Sequence, residues 1–132
     1  MESDYTVLFI DDYSDLEKLD KEIHIGRWER AYSKGILEHR LEKFDLVVLD
    51  MDTGNRMKED PRDISSRVSK EKFYLTVKNE KDERKAWGKI REWNAGGYLV
   101  MPISHEQIVE ILRGINPKRD NQLPFLNSEN FK

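Results

Sequence analysis

The chain contains no cysteine, which excludes a thiol nucleophile, a disulfide framework and a cysteine-ligated metal centre. It has no long hydrophobic run either, and no stretch approaches the ~20 apolar residues of a membrane-spanning helix. A signal-peptide pattern is missing too, because Met1-Glu2-Ser3-Asp4 is acidic and the apolar stretch after it is short. A soluble, cytoplasmic protein without a membrane partner is the expectation. Neither sign of charge dominates: 23 basic and 26 acidic residues are interspersed and leave a net charge of -3. No basic stripe offers itself to nucleic acid. His24, His39 and His105 are too scattered to suggest a metal cluster, and no Ser–His–Asp arrangement or phosphate-cradling glycine loop is readable.

What the chain does have is a set of short apolar runs. Its 132 residues are one domain's worth, and its 37% hydrophobic content is bunched enough to build one core without cross-links. Runs at 5–10, 45–49, 73–77 and 97–101 are rich in Val, Leu, Ile and aromatic residues and do not alternate with polar ones. Strands covered on both faces read this way, as in a parallel sheet. Between them lie segments of helical spacing. Leu37, Leu41 and Phe44 form one such series; Trp87, Ile90 and Trp93, with Ala86 beside them, form a second; Ile108, Ile111, Leu112 and Ile115 form the last. Ser104 and Gln107 form a capping box before the last helix, and Gly96-Gly97 suits a helix stop and a turn. Strands alternating with helices imply parallel βαβ units. A short helix and a weak second strand are expected between Ser14 and Ser33, the strand within 22–31. The polar stretch between Thr53 and Lys72, with Pro61, reads as a long loop with at most a short helix. Residues 117–132 read as a polar tail or the start of a linker, with one apolar knot at Leu123-Pro124-Phe125-Leu126.

The polar residues at the ends of these runs carry the chemistry. Asp11-Asp12 ends the first, Asp50 the second with Asp52 just past it, Thr76 lies at the end of the third, and Met101-Pro102 closes the fourth. In an open parallel sheet, ligands gather at the carboxyl ends of the strands. Several carboxylates at one spot repel one another, and a hard divalent cation offsets that cost. The pattern therefore predicts a Mg²⁺ site. Isolated strand-end aspartates are often only turn residues, but a pair and a third directly after apolar strands argue for the metal.

Taken together, Val7-Leu8-Phe9-Ile10-Asp11-Asp12, Phe44-Asp45-Leu46-Val47-Val48-Leu49-Asp50, Phe73-Tyr74-Leu75-Thr76-Val77 and Gly96-Gly97-Tyr98-Leu99-Val100-Met101-Pro102 resemble the receiver domain of two-component response regulators. The resemblance covers residues 5–115. It implies an α/β fold of the flavodoxin-like type, doubly wound on a five-stranded parallel sheet of strand order 2-1-3-4-5, with residues 1–116 as the receiver-like domain. It also implies a signalling domain in a phosphorelay rather than an enzyme. Asp50 is then the phospho-acceptor, taking a phosphoryl group from a sensor histidine kinase or phosphotransfer protein. Asp11, Asp12, Asp50 and the backbone carbonyl of Asp52 would hold Mg²⁺. Thr76 would hydrogen-bond the phosphoryl group, and Tyr98 matches the aromatic switch residue. A downstream output partner would dock through residues 87–115, and dimerisation through the last helix stays open.

Two departures shape the expectation. Where the family carries a lysine, this chain has Met101, which removes a charge-assisted contact worth about 1.5–3 kcal/mol. Val77 stands where the family usually keeps Ala or Gly and is expected to narrow the pocket. Lys78, two residues after Thr76, is the candidate substitute cation, or else a partner for Asp52. A pseudo-receiver that docks partners without phosphorylation is the alternative. Asp50-Met51-Asp52-Thr53 is also similar to the nucleophile loop of haloacid-dehalogenase-type phosphatases. Gly54 stands where that loop has Thr or Val, and the acidic pair lies upstream rather than downstream.

Overall fold

The structure, a computed structural model, describes residues 5–13 and 27–115. The short helix expected after Ser14 and the 117–132 tail with its apolar knot lie outside the described residues. Five strands are present: β1 (Thr6–Ile10), β2 (Arg27–Ala31), β3 (Leu46–Asp50), β4 (Phe73–Val77) and β5 (Gly97–Val100). The α-helices are α1 (Met51–Arg56), α2 (Arg62–Val68), α3 (Glu83–Trp93) and α4 (His105–Ile115).

All strand pairs are parallel, and the sheet order is β2-β1-β3-β4-β5. This is the doubly wound, flavodoxin-like arrangement expected from the sequence. The central strands are largely apolar because both faces are covered. Every residue of β3 is buried. On one face Leu8, Ile10, Val47, Leu49, Phe73, Leu75 and Val77 pack with Ile64, Val68, Ala86, Ile90 and Trp93 from α2 and α3. On the other face Val7, Phe9, Leu46, Val48 and Leu99 pack with Ile108, Val109 and Leu112 from α4. Strand β2 reads weakly because it lies at the sheet edge and carries charges, Arg-Trp-Glu-Arg-Ala, as exposed edges commonly do. Trp28 anchors it, its ring edge-on to Phe9 with centroids 5.5 Å apart.

Two connections differ from the sequence-based expectation. The spacing of Leu37, Leu41 and Phe44 predicts an α-helix. The chain instead makes two single 3-10 turns, Ile36–Glu38 and Leu41–Lys43. His39 is extended (φ -88°, ψ 161°) and breaks any continuous helix, while Leu41 and Phe44 still bury. The stretch from Thr53 to Lys72 holds two short helices rather than a long loop. α1 is capped by Asp50, and α2 follows Pro61 at its N-cap, whose fixed φ suits a helix start. Ile64 and Val68, one turn apart, bury the inner face of α2.

The capping box forms as expected: the Ser104 amide donates to Gln107 Oε1 (2.8 Å), and the Gln107 amide donates to Ser104 Oγ (3.2 Å). Helix α3 stops at Asn94, in the left-handed region at φ 56°. Gly96 serves close packing: a Cβ there would lie 2.6 Å from the carbonyl oxygen of Lys70. Gly88 has no such reason. It is exposed in the middle of α3, and a Cβ there would meet nothing within 4 Å. Gly88→Ala should therefore raise stability by about 1 kcal/mol in urea denaturation, through helix propensity alone.

Candidate functional site

Alternation along the strands decides which side chains meet at the carboxyl edge. Val7, Phe9, Leu46, Val48 and Leu99 face the α4 side. Two residues on from the last of these in each strand come Asp11, Asp50 and Met101, so all three emerge on that side. Asp50 is in register with Thr76, and Thr76 with Leu99. Val77 turns the other way and is buried in the core beneath α2 and α3.

Asp50 is both strand end and helix cap. Its Oδ2 accepts hydrogen bonds from the Thr53 amide and the Thr53 hydroxyl, both at 3.0 Å. The Asp-x-x-Thr spacing is an N-cap signature, and it places α1 directly after β3. The other oxygen, Oδ1, has no hydrogen-bond partner among the described residues. Asp50 is 6% exposed. Burial raises its pKa above the ordinary 3.8, the neighbouring charges of Asp11 and Asp52 raise it further, and the bonds from Thr53 act the other way.

A raised native pKa has a definite consequence for stability. The protonated form is favoured in the folded chain, so Asp50's contribution is fully present below pH 3.8, its unfolded value. It is lost as pH rises through the native value. At neutral pH the buried charge weighs against the fold. Asp50→Asn keeps a capping oxygen and removes the charge. The variant should be more stable than the parent at about pH 7, with the advantage gone near pH 3, in paired urea titrations.

The loop after β1 is tied down from three sides. The Asp11 amide donates to the carbonyl of Ala31 (3.0 Å). Arg30 Nη2 donates to the carbonyls of Asp11 (3.3 Å) and Tyr13 (2.7 Å). The Asp12 amide donates to Thr53 Oγ1 (2.9 Å), so one threonine hydroxyl joins Asp12 to Asp50. Asp11 is 1% exposed, and its Oδ1 accepts from the Tyr13 amide (2.8 Å). The Tyr13 ring lies between two cations, 5.8 Å from the Arg56 guanidinium and 5.3 Å from Lys78 Nζ.

Lys78 pairs with Asp52 at 3.4 Å, the pairing weighed as its alternative role. Thr76 is buried, and its hydroxyl has no hydrogen-bond partner among the described residues. The Met101–Pro102 peptide is cis. The Met101 amide donates to the Val77 carbonyl (2.8 Å), and its side chain packs half-buried against the α4-side core. Tyr98 lies on the opposite face from Thr76's neighbour Leu99. Its hydroxyl donates to Glu83 (2.8 Å), its ring is edge-on to Trp87 at 5.6 Å, and the bond to Glu83 is the main cause of its raised pKa.

The expected Mg²⁺ ligands are only partly brought together. Asp11 and Asp50 share the edge. Asp12 does not present its carboxylate to them: Oδ1 accepts from the Ser33 amide (2.7 Å) and Oδ2 from the Ser33 hydroxyl (2.6 Å). Asp52 sits in the first turn of α1, where a carbonyl points along the helix toward its C-terminal end. Among the described residues no three His, Asp or Glu side chains form a group that could hold a metal. The donor set Asp11, Asp12, Asp50 and the Asp52 carbonyl, as arranged here, does not fit the ion. Thr53, Ser33, Tyr13 and Arg30 are site residues that sequence reasoning missed. The Asp50-x-x-Thr53 spacing was a readable signal and Tyr13 follows Asp12 directly, whereas Ser33 and Arg30 reach the site only through long-range contacts.

No family model matches the chain, and no curated protein matches it. Solved structures do. Adenylate cyclase from Rhodopirellula baltica is 15% identical over 95% of this chain and 93% of that one, with a TM-score of 0.48. Full-length FixJ from B. japonicum is 12% identical over 93% of this chain, with a TM-score of 0.54. This chain spans 61% of that protein. At that identity the likeness to FixJ shows a shared fold, and the five-stranded parallel sheet of order 2-1-3-4-5 agrees with it.

Proposed function

We propose that this chain is an atypical receiver domain of phosphorelay signalling, with Asp50 as the phospho-acceptor. The observation that carries the reading is the placement of Asp50. Its carboxylate ends β3 with one oxygen unengaged, beside Asp11 and in register with the unpaired hydroxyl of Thr76. The fold shared with FixJ, a response regulator, supports the same class of role.

In this reading the donor is the phosphohistidine of a sensor kinase or phosphotransfer protein. Asp50 Oδ1 attacks phosphorus, an O–P bond forms, the N–P bond breaks, and the imidazole nitrogen leaves with the electron pair. The Thr76 hydroxyl donates to a phosphoryl oxygen. Met101 brings no positive charge to that oxygen, and Mg²⁺ would supply one only if the Asp12 carboxylate left Ser33. Lys78, paired with Asp52 and set over the Tyr13 ring, is the substitute cation in this reading. Output runs through residues 87–115, where Trp87 is 54% exposed and a cleft of about 340 Å³ is lined by Tyr74, Tyr98, Leu99, Gln107, Glu110 and Ile111. A cytoplasmic location belongs to this reading; among the described residues no helix is long and apolar enough to cross a membrane.

Two observations favour a second reading, a docking module that works without phosphorylation. Met101 packs against the core, and Asp12 is held by Ser33. Incubation with a small-molecule phosphodonor and Mg²⁺, followed by intact-mass analysis, separates the two. A gain of one phosphoryl group is expected. No gain from the donor or from any partner kinase would leave the docking reading in its place.

A further inference from the structure

We infer that the cleft between the turn after β2 and the end of α1 is a binding site for a phosphate group carried by a small ligand, separate from the Asp50 edge.

The cleft holds about 270 Å³ and is lined by Ser33, Lys34 and Gly35 on one side and by Arg56, Lys58 and Glu59 on the other. Three cations and one carboxylate line it, an excess of two positive charges. Other lysines of the chain have carboxylate partners: Lys78 pairs with Asp52, and Lys89 with Glu92. Lys34 and Lys58 have no ion pair or hydrogen bond among the described residues, and the Arg56 guanidinium has only the Tyr13 ring, 5.8 Å away. Glu59 pairs with none of the three. A cleft lined by one sign of charge focuses its field and concentrates the opposite ion.

The frame of the cleft is fixed before any ligand arrives. Ser33 is buried, its amide and hydroxyl donate to Asp12 at 2.7 and 2.6 Å, and its carbonyl accepts from the Ile36 amide at 3.0 Å. Gly35, at φ 72°, supplies the left-handed residue that this turn needs. On the other side the Met57 amide closes α1 on the Thr53 carbonyl at 2.9 Å. A rigid frame lowers the ordering cost of binding.

Charge and size name the ligand class. A phosphate monoester carries about -1.5 to -2 charges near neutral pH, the complement of the excess here. It accepts several hydrogen bonds at once, and the planar guanidinium of an arginine matches its oxygens in pairs. The volume falls below the ~300–1,000 Å³ of clefts that enclose a drug-sized ligand, so it admits the phosphate group rather than a whole nucleotide. Asp11, Asp50, Thr76 and Met101 are not among its lining residues, so the site does not depend on the acceptor reading.

Titration of the full chain with inorganic phosphate at constant ionic strength, followed by amide chemical shifts, tests the inference. Saturable shifts centred on residues 33–35 and 56–59 are expected. Lys34→Gln and Lys58→Gln each remove one charge-assisted contact and should weaken binding about tenfold. Lys85→Gln removes the same charge from an exposed position of α3 and should bind as the parent does. Asp50→Asn should also bind as the parent does, which separates this site from the acceptor. Absence of saturable shifts, shifts centred on Asp50 instead, or equal weakening in all three lysine variants would overturn the inference and leave the acceptor reading standing.

Discussion

Trp93→Ala should lower the unfolding free energy by about 3–5 kcal/mol, a large share of what a domain of this size has. Trp93 is 3% exposed and joins α3 to the rest of the core. Its ring lies against Gly54 of α1 so closely that a Cβ at residue 54 would sit 2.7 Å from it and 3.0 Å from Leu49. Gly54 is therefore the residue that lets α1 reach the core. Gly54→Ala should gain helix propensity of about 1 kcal/mol and lose more than that to overpacking, for a net destabilisation of about 1–3 kcal/mol. In a Trp93→Phe background the smaller ring should remove most of the Gly54→Ala penalty, and a double-mutant cycle in urea reads that coupling. The functional link is direct, because α1 is capped by Asp50 through Thr53. A Trp93→Ala loss under about 1 kcal/mol would mean that α1 does not depend on this packing.

The sheet was legible in the sequence because its central strands are buried on both faces. Leu46 to Leu49 is apolar without interruption, and no helical period competes with it. The edge strand was legible only as a weak strand somewhere within 22–31, since Glu29 is exposed and Arg30 bonds the neighbouring loop rather than a core. The Leu37–Phe44 series misled for a different reason. Burial of Leu41 and Phe44 produces helical spacing, but His39 between the turns is extended, a break that periodicity does not encode. Asp11, Asp50 and Thr76 were readable as strand ends. The partner of Asp12 was not, because Ser33 is distant in sequence and no motif links the two.

Phosphoryl uptake should be lost completely in Asp50→Asn, and the geometry of the other carboxylates explains why none replaces it. Asp12 has both oxygens on Ser33, and Asp52 is paired with Lys78. Asp11 bonds the Tyr13 amide and follows β1, not β3, so it is not in register with Thr76. Asp50 alone combines an unengaged oxygen with that register. An amide in its place has no nucleophilic oxygen anion to offer. Where the chain carries the phosphoryl group is thus the central claim. Borohydride reduction of the phosphorylated protein converts an aspartyl phosphate to homoserine, and peptide mass spectrometry reads its position. Homoserine at residue 50 alone is the expected result; homoserine at residue 11, 12 or 52, or at no position, would contradict the account.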